Sequence, residues 1–124
     1  MPERSGLEEQ RKSSRVGLIV PIEYKKLKAF PPSKKGSVTK DISVGGVRFT
    51  TDEFLSYTAR LVLNIALPLP QRPVSAVSKV AWIKKLPFGE EYEIGNQFLE
   101  MSKDDKDRLS VYLDDLNEVS NRTR

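Results

Sequence analysis

Two short stretches carry residues whose types and spacing fit ligand chemistry. Arg11-Lys12-Ser13-Ser14-Arg15 sets two guanidinium groups four residues apart, and Asp41-Ile42-Ser43-Val44-Gly45-Gly46 has the spacing D-x-S-x-x-G. A guanidinium is a planar fork of donors that bridges phosphate oxygens, grips two acceptors at once, or stacks on an aromatic face. An ionised Asp only accepts hydrogen bonds, while a Ser hydroxyl donates and accepts. Gly permits φ > 0 and lets the backbone come close to a ligand. Taken singly, each stretch also has a plain structural reading. Arginine pairs occur in many basic chains, and Asp, Ser and Gly readily serve as a turn with an Asp cap.

The rest of the composition narrows the chemistry. The 124 residues include no Cys and no His, which removes disulfides, thiol nucleophiles, the usual zinc ligands and an imidazole base. No nucleophile–base pair or metal set can be assembled, so neither an enzyme nor a resident cofactor or metal is expected. The formal net charge of +4 is unevenly placed: residues 1–40 hold ten Lys/Arg against four Asp/Glu, and residues 41–124 hold eleven against thirteen. A basic first third suits an anionic partner such as a nucleotide, a nucleic acid or an acidic protein surface. Lysines between Lys25 and Lys35 would equally keep edge strands soluble.

These residues must be positioned by a small β fold. Residues 1–15 are polar and aperiodic and read as a flexible arm with Arg11 and Arg15 at its end. From Val16 to Lys25 apolar residues alternate, which predicts a strand, with Pro21 arguing for an edge or a bulge. Pro31 to Gly36 is turn chemistry leading to a second strand at 37–41. Further strands are predicted at 47–51, at 58–66 (the most apolar, hence central and buried), at 74–85 and at 92–99. Trp82 then falls in a strand that reads as core. Ser102-Lys103-Asp104-Asp105 resembles a helix start, and Leu109, Tyr112, Leu113 and Leu116 mark the apolar stripe of a helix over 103–117 that docks on the barrel. The expected organisation is an arm over 1–15, one domain over 16–118 and a tail over 119–124. It is mainly β: a six-stranded antiparallel barrel with a C-terminal α-helix packed on it. No apolar run approaches the roughly 18 residues of a membrane span, and the polar N-terminus lacks a secretory signal, so a cytoplasmic protein is expected.

In combination and order, these features resemble the bacterial PilZ family. Its pattern is R-x-x-x-R just before the first strand, then D/N-x-S-x-x-G after the hairpin. Arg11 and Arg15 match the first motif, with Glu9 two residues before it; Asp41, Ser43 and Gly46 match the second. Gly95-Asn96-Gln97-Phe98 matches the G-x-x-F that precedes the closing helix in many members. The resemblance runs from about Glu9 to Asn117 and implies a receptor for the second messenger cyclic di-GMP, bound by Arg11, Arg15, Asp41, Ser43 and Gly46. Gln10, Lys12, Gly45 and Gly95 are possible accessory positions. Cyclic di-GMP carries two phosphates and two guanines. Arginine can bond guanine O6 and N7 together, and Asp41 can accept from guanine N1–H and N2–H, edges that adenine lacks.

A receptor of this kind implies a downstream protein partner, and it implies an arm that orders on binding. Fixing about five residues costs roughly 5–10 kcal/mol of backbone entropy, which charge-assisted bonds can offset only with ligand present. Two other readings compete. One is a PilZ-type interaction module that does not depend on nucleotide, which would be expected to lack the arginine pair. The other is an OB-like nucleic-acid-binding barrel, which needs exposed aromatics interleaved with basic residues; here the aromatics fall mostly on apparent core faces.

Overall fold

The computed structural model describes residues 15–31, 33–68 and 72–122, with side chains to Glu118. Its strands are β1 (Val16–Gly17), β2 (Pro21–Lys26), β3 (Lys35–Ile42), β4 (Gly46–Thr51), β5 (Arg60–Ile65), β6 (Val74–Lys85) and β7 (Tyr92–Glu100), followed by helix α1 (Lys103–Arg122). All pairings are antiparallel. They run β3–β2–β5–β6–β7–β4, and β4 pairs back onto β3, so six strands close a barrel; β1 pairs with the end of β3 on the same edge as β2.

The single strand expected from Val16 to Lys25 is therefore two. The chain breaks at Leu18–Val20, where the Thr39 hydroxyl fills the gap, accepting from Val20 N at 3.0 Å and donating to Leu18 O. Pro21 lies on no edge strand, since β2 sits between β3 and β5; the irregularity is in the break before it, where four steps from Gly17 to Pro21 face three from Asp41 to Val38. Pro21 is the first residue of its strand, a position where its missing N–H is tolerated. Closure also removes the edges that Lys25 to Lys35 were expected to protect. The strand read as most buried, β5, is central but alternates: Leu61, Leu63 and Ile65 are fully enclosed, whereas Val62 and Asn64 are partly exposed. These residues join Ile22, Ile42, Val47, Phe49, Val74, Val80 and Ile94 in one core.

Of the register shifts along the ladders, two decide which side chains of one barrel wall face out. In β3 the pairing moves from Thr39↔Phe49 to Asp41↔Arg48, so Lys40 is the extra residue of a bulge. In β6 it moves from Val80↔Asn96 to Trp82↔Gly95, with Ala81 extra. Because side chains alternate with period two, one inserted residue exchanges inner and outer faces.

Helix α1 runs past its expected end at Asn117, and it docks with Leu109 and Leu113 buried. Ser102 caps it, its hydroxyl accepting from Asp105 N at 3.1 Å. Asp105 is itself buried and accepts from Ser75 N at 3.1 Å and from Arg108 at 2.9 Å, with Arg72 at 3.0 Å. The helix start is thus fastened to the beginning of β6. Among the described residues no helix is long and apolar enough to cross a membrane.

Candidate functional site

Asp41 is the hub of the region that the D-x-S-x-x-G spacing singles out. It is a strand residue of β3, not a turn cap, and the bulge at Lys40 turns its carboxylate to the outer wall beside Arg48. Its side chain is only 10% exposed, and Arg15 donates to Oδ1 at 3.1 Å while Arg48 donates to Oδ2. Arg48 also approaches Glu93 at 3.6 Å, and Lys40 donates to the other Glu93 oxygen at 2.8 Å. The hydrogen bond to Asp41 holds the Arg48 guanidinium above its ordinary range. Three cations and two carboxylates thus form one network, in which Arg15, at the mouth of the arm, has the most exposed arginine side chain. Arg11, Lys12 and Gln10 lie outside the described residues.

Ser43, Gly45 and Gly46 form the β3–β4 turn. Ser43 N donates to Gly46 O at 2.8 Å, and Gly45 N donates to the Ser43 hydroxyl at 3.2 Å. Ser43 is buried, so its hydroxyl first serves the turn. The expectation that Gly46 supplies a positive φ is not met: the one described glycine with a positive φ is Gly89. Gly46 is required for another reason. A Cβ there would stand 2.2 Å from the Asn96 carbonyl oxygen on β7, so the two backbones touch. Gly45 has no such constraint, its nearest neighbour being the Ser43 hydroxyl at 3.9 Å.

Gly95 completes a row that crosses four strands: Asp41 opposite Arg48, Arg48 opposite Gly95, and Gly95 opposite Trp82. A Cβ on Gly95 would lie 2.3 Å from the indole nitrogen, so the missing side chain leaves room for Trp82 to lie on the backbone. Trp82 is not the core residue expected from its strand. Even-numbered residues from Val74 to Val80 are buried, but the bulge at Ala81 reverses the phase and leaves Trp82 37% exposed on the outer wall. Phe30, Phe54, Tyr57 and Phe88 are also exposed, so the aromatics do not sit mostly on core faces. With Arg15 bonded to Asp41, the row offers a carboxylate acceptor, two guanidinium groups and a flat indole. That set can take an anion that also carries N–H donors and a planar ring.

Arg48, Glu93 and Trp82 are the positions that residue spacing alone misses. Arg48 could be found as the cross-strand neighbour of Asp41 once a hairpin is drawn through Ser43–Gly46, but Trp82 depends on a bulge that no residue type announces.

A family profile described as PilZ domain matches residues 9–115. Among solved structures, the Bacillus subtilis inhibitor of motility (MotI/DgrA) superposes with a TM-score of 0.70 at 20% identity, covering 89% of this chain and 51% of that one. MrkH of K. pneumonia in complex with c-di-GMP gives 0.68 at 24% identity, with 90% and 53% covered. The PilZ domain of YcgR from Escherichia coli with c-di-GMP gives 0.65 at 16% identity, with 92% and 96% covered. At these identities the likeness speaks for the fold, and the chain spans about half the length of the first two. No curated protein matches the sequence.

Proposed function

The chain belongs to the PilZ domain family, and on that footing we propose that it is a receptor for cyclic di-GMP that performs no chemistry of its own and signals to a protein partner. The observation that carries the reading is the Asp41 carboxylate, nearly enclosed on the barrel wall and gripped by Arg15 of the arm and Arg48 of β4. The R-x-x-x-R and D-x-S-x-x-G motifs are thereby in contact at Arg15 and Asp41. Arg11 and Arg15 grip the phosphates or guanine O6 and N7, Asp41 accepts from guanine N1–H and N2–H, and the Ser43–Gly46 turn lets backbone approach.

Arg15 already has a carboxylate partner before any ligand arrives. Binding then exchanges the Arg15–Asp41 bond for bonds from each group to the ligand, and the arm is drawn across the turn. The reshaped face is what the partner reads, an order–disorder switch of the kind ligand phosphates drive.

The test is calorimetric titration with cyclic di-GMP beside cyclic di-AMP, GTP and a single-stranded oligonucleotide. Cyclic di-GMP is expected to bind best, and Arg11→Ala or Arg15→Ala to weaken it at least about ten-fold without unfolding the protein. Folded arginine variants with wild-type affinity would rule out the arm as a clamp. Amide exchange over residues 7–16 with and without ligand tests the switch, for which greater protection is expected in the complex.

A further inference from the structure

The barrel end remote from the Ser43–Gly46 turn gathers the β2–β3, β4–β5 and β6–β7 connections, because β2, β4 and β6 all finish there. Each of the first two reaches the strand that starts beside it: Leu27 N donates to Arg60 O at the start of β5 at 3.0 Å, and Phe54 packs edge-on to Tyr92 at the start of β7 at 5.7 Å between ring centres. All three present large apolar residues to solvent. Phe30 is 95% exposed in the first, Phe54 and Tyr57 stand out from the second, and Phe88 is 83% exposed in the third. Rings this exposed on three neighbouring connections are not the scattered single residues of an ordinary surface; such a patch marks a docking site.

Charge identifies the occupant. Residues 25–35, 52–60 and 84–91 hold eight Lys/Arg against four Asp/Glu. Two of those acids are already taken, Asp52 by Lys35 at 3.0 Å and Glu53 by Lys26 at 3.3 Å. Lys28 and Lys34 flank Phe30 in sequence and have no acidic partner among the described residues. A protein hot spot concentrates its aromatics in a packed, dehydrated centre. Here the most exposed rings stand on separate connections, Phe30 between Lys28 and Lys34 and Phe88 three residues after Lys85, with Glu90 and Glu91 following it. Aromatic rings at headgroup depth, with Lys stems reaching outward to lipid phosphates, are how a peripheral domain rests on a bilayer. We propose that this end of the barrel docks on an anionic lipid surface, with Phe30 and Phe88 entering the headgroup layer and Lys28 and Lys34 meeting the lipid phosphates. The Arg15–Asp41 region is left facing away from the bilayer.

The experiment is co-sedimentation of the full chain with phosphatidylcholine vesicles, with and without phosphatidylserine, in the absence of nucleotide. Binding is expected only with phosphatidylserine and is expected to fall as salt rises. Phe30→Ser with Phe88→Ser should lower partitioning about ten-fold or more, the loss of burying two rings. Lys28→Gln with Lys34→Gln should lower it by about 25-fold, given about five-fold for each lysine. Both double variants should keep the wild-type melting temperature. The proposal is overturned if wild type binds both vesicle types equally or neither. It is overturned too if the Phe pair can be changed without loss, which would leave only the general attraction of a basic protein. Sedimentation showing that the Phe substitutions dissociate a wild-type oligomer that ignores vesicles would assign the patch to a second copy instead. No arm uses cyclic di-GMP, so the result stands whether or not the messenger binds.

Discussion

Replacing Asp41 by Ala separates two roles that a single affinity would confuse. In the free protein its carboxylate neutralises Arg15 and Arg48. Its loss leaves Arg48 with Glu93 alone at 3.6 Å and raises the local charge by one. A dianionic ligand about 7 Å from that change gains about 1 kcal/mol of Coulomb attraction in water, less once salt screens it. The same substitution removes the acceptor for guanine N1–H and N2–H, a loss of about 1–3 kcal/mol that adenine does not feel. The Coulomb gain is common to cyclic di-GMP and cyclic di-AMP and cancels in their ratio. The ratio of the two affinities should therefore fall by about 5- to 150-fold. Cyclic di-AMP alone should bind no worse, and at low salt slightly better. Stability should drop by about 1–2 kcal/mol, because Arg15 can return to water while the half-buried Arg48 cannot do so fully. Titration of both ligands at two salt concentrations, with a thermal melt, supplies every quantity. An unchanged ratio, with both affinities reduced alike, would mean that Asp41 only positions the arginines and does not touch the base.

Three further outcomes follow from the geometry. Gly46→Ala should destabilise by about 3 kcal/mol, because the Asn96 carbonyl 2.2 Å from the new Cβ is backbone and cannot swing aside; Gly45→Ala, with open space, should be neutral or stabilise by up to about 1 kcal/mol, and paired denaturant melts read both. Asp105→Ala should cost about 3–5 kcal/mol, since it strands Arg108 and Ser75 N at the buried start of α1, and loss of helical circular dichroism before the barrel unfolds would show the detachment. Burial alone would raise the Glu53 carboxyl, but hydrogen bonds from Tyr24 and Lys26 and the Lys26 and Lys35 charges outweigh it and hold Glu53 below its ordinary 4.5. Its stabilisation is then full above 4.5 and lost as pH falls through the lower folded value, so Glu53→Gln should cost up to about 1 kcal/mol at neutral pH and progressively less as pH falls below 4.5, as melts from neutral to acidic pH will test.

The sequence and the structure agree on most elements that an unbroken local pattern marks, the Val16–Lys25 alternation excepted. The strand at Val74–Lys85, the Ser102 cap and the Leu109/Leu113 stripe were all readable, because each rests on local pattern. What could not be read is where the pattern changes phase. Alternation from Thr39 would put Asp41 on the same face as Thr39, yet Thr39 pairs with the core residue Phe49 and Asp41 with the outward Arg48. Alternation from Val74 would bury Trp82, yet Trp82 pairs with Gly95 on the outer wall. Each reversal needs one extra residue, Lys40 or Ala81, and neither residue type signals a bulge as an in-strand glycine would. The consequences are not independent. With either bulge removed, the row Asp41–Arg48–Gly95–Trp82 would lose an end to the interior, and the buried carboxylate or indole would displace core side chains. The motif thus supplies the acceptor, but two single-residue insertions on strands β3 and β6 decide that acceptor and ring share the outer face that a ligand can reach.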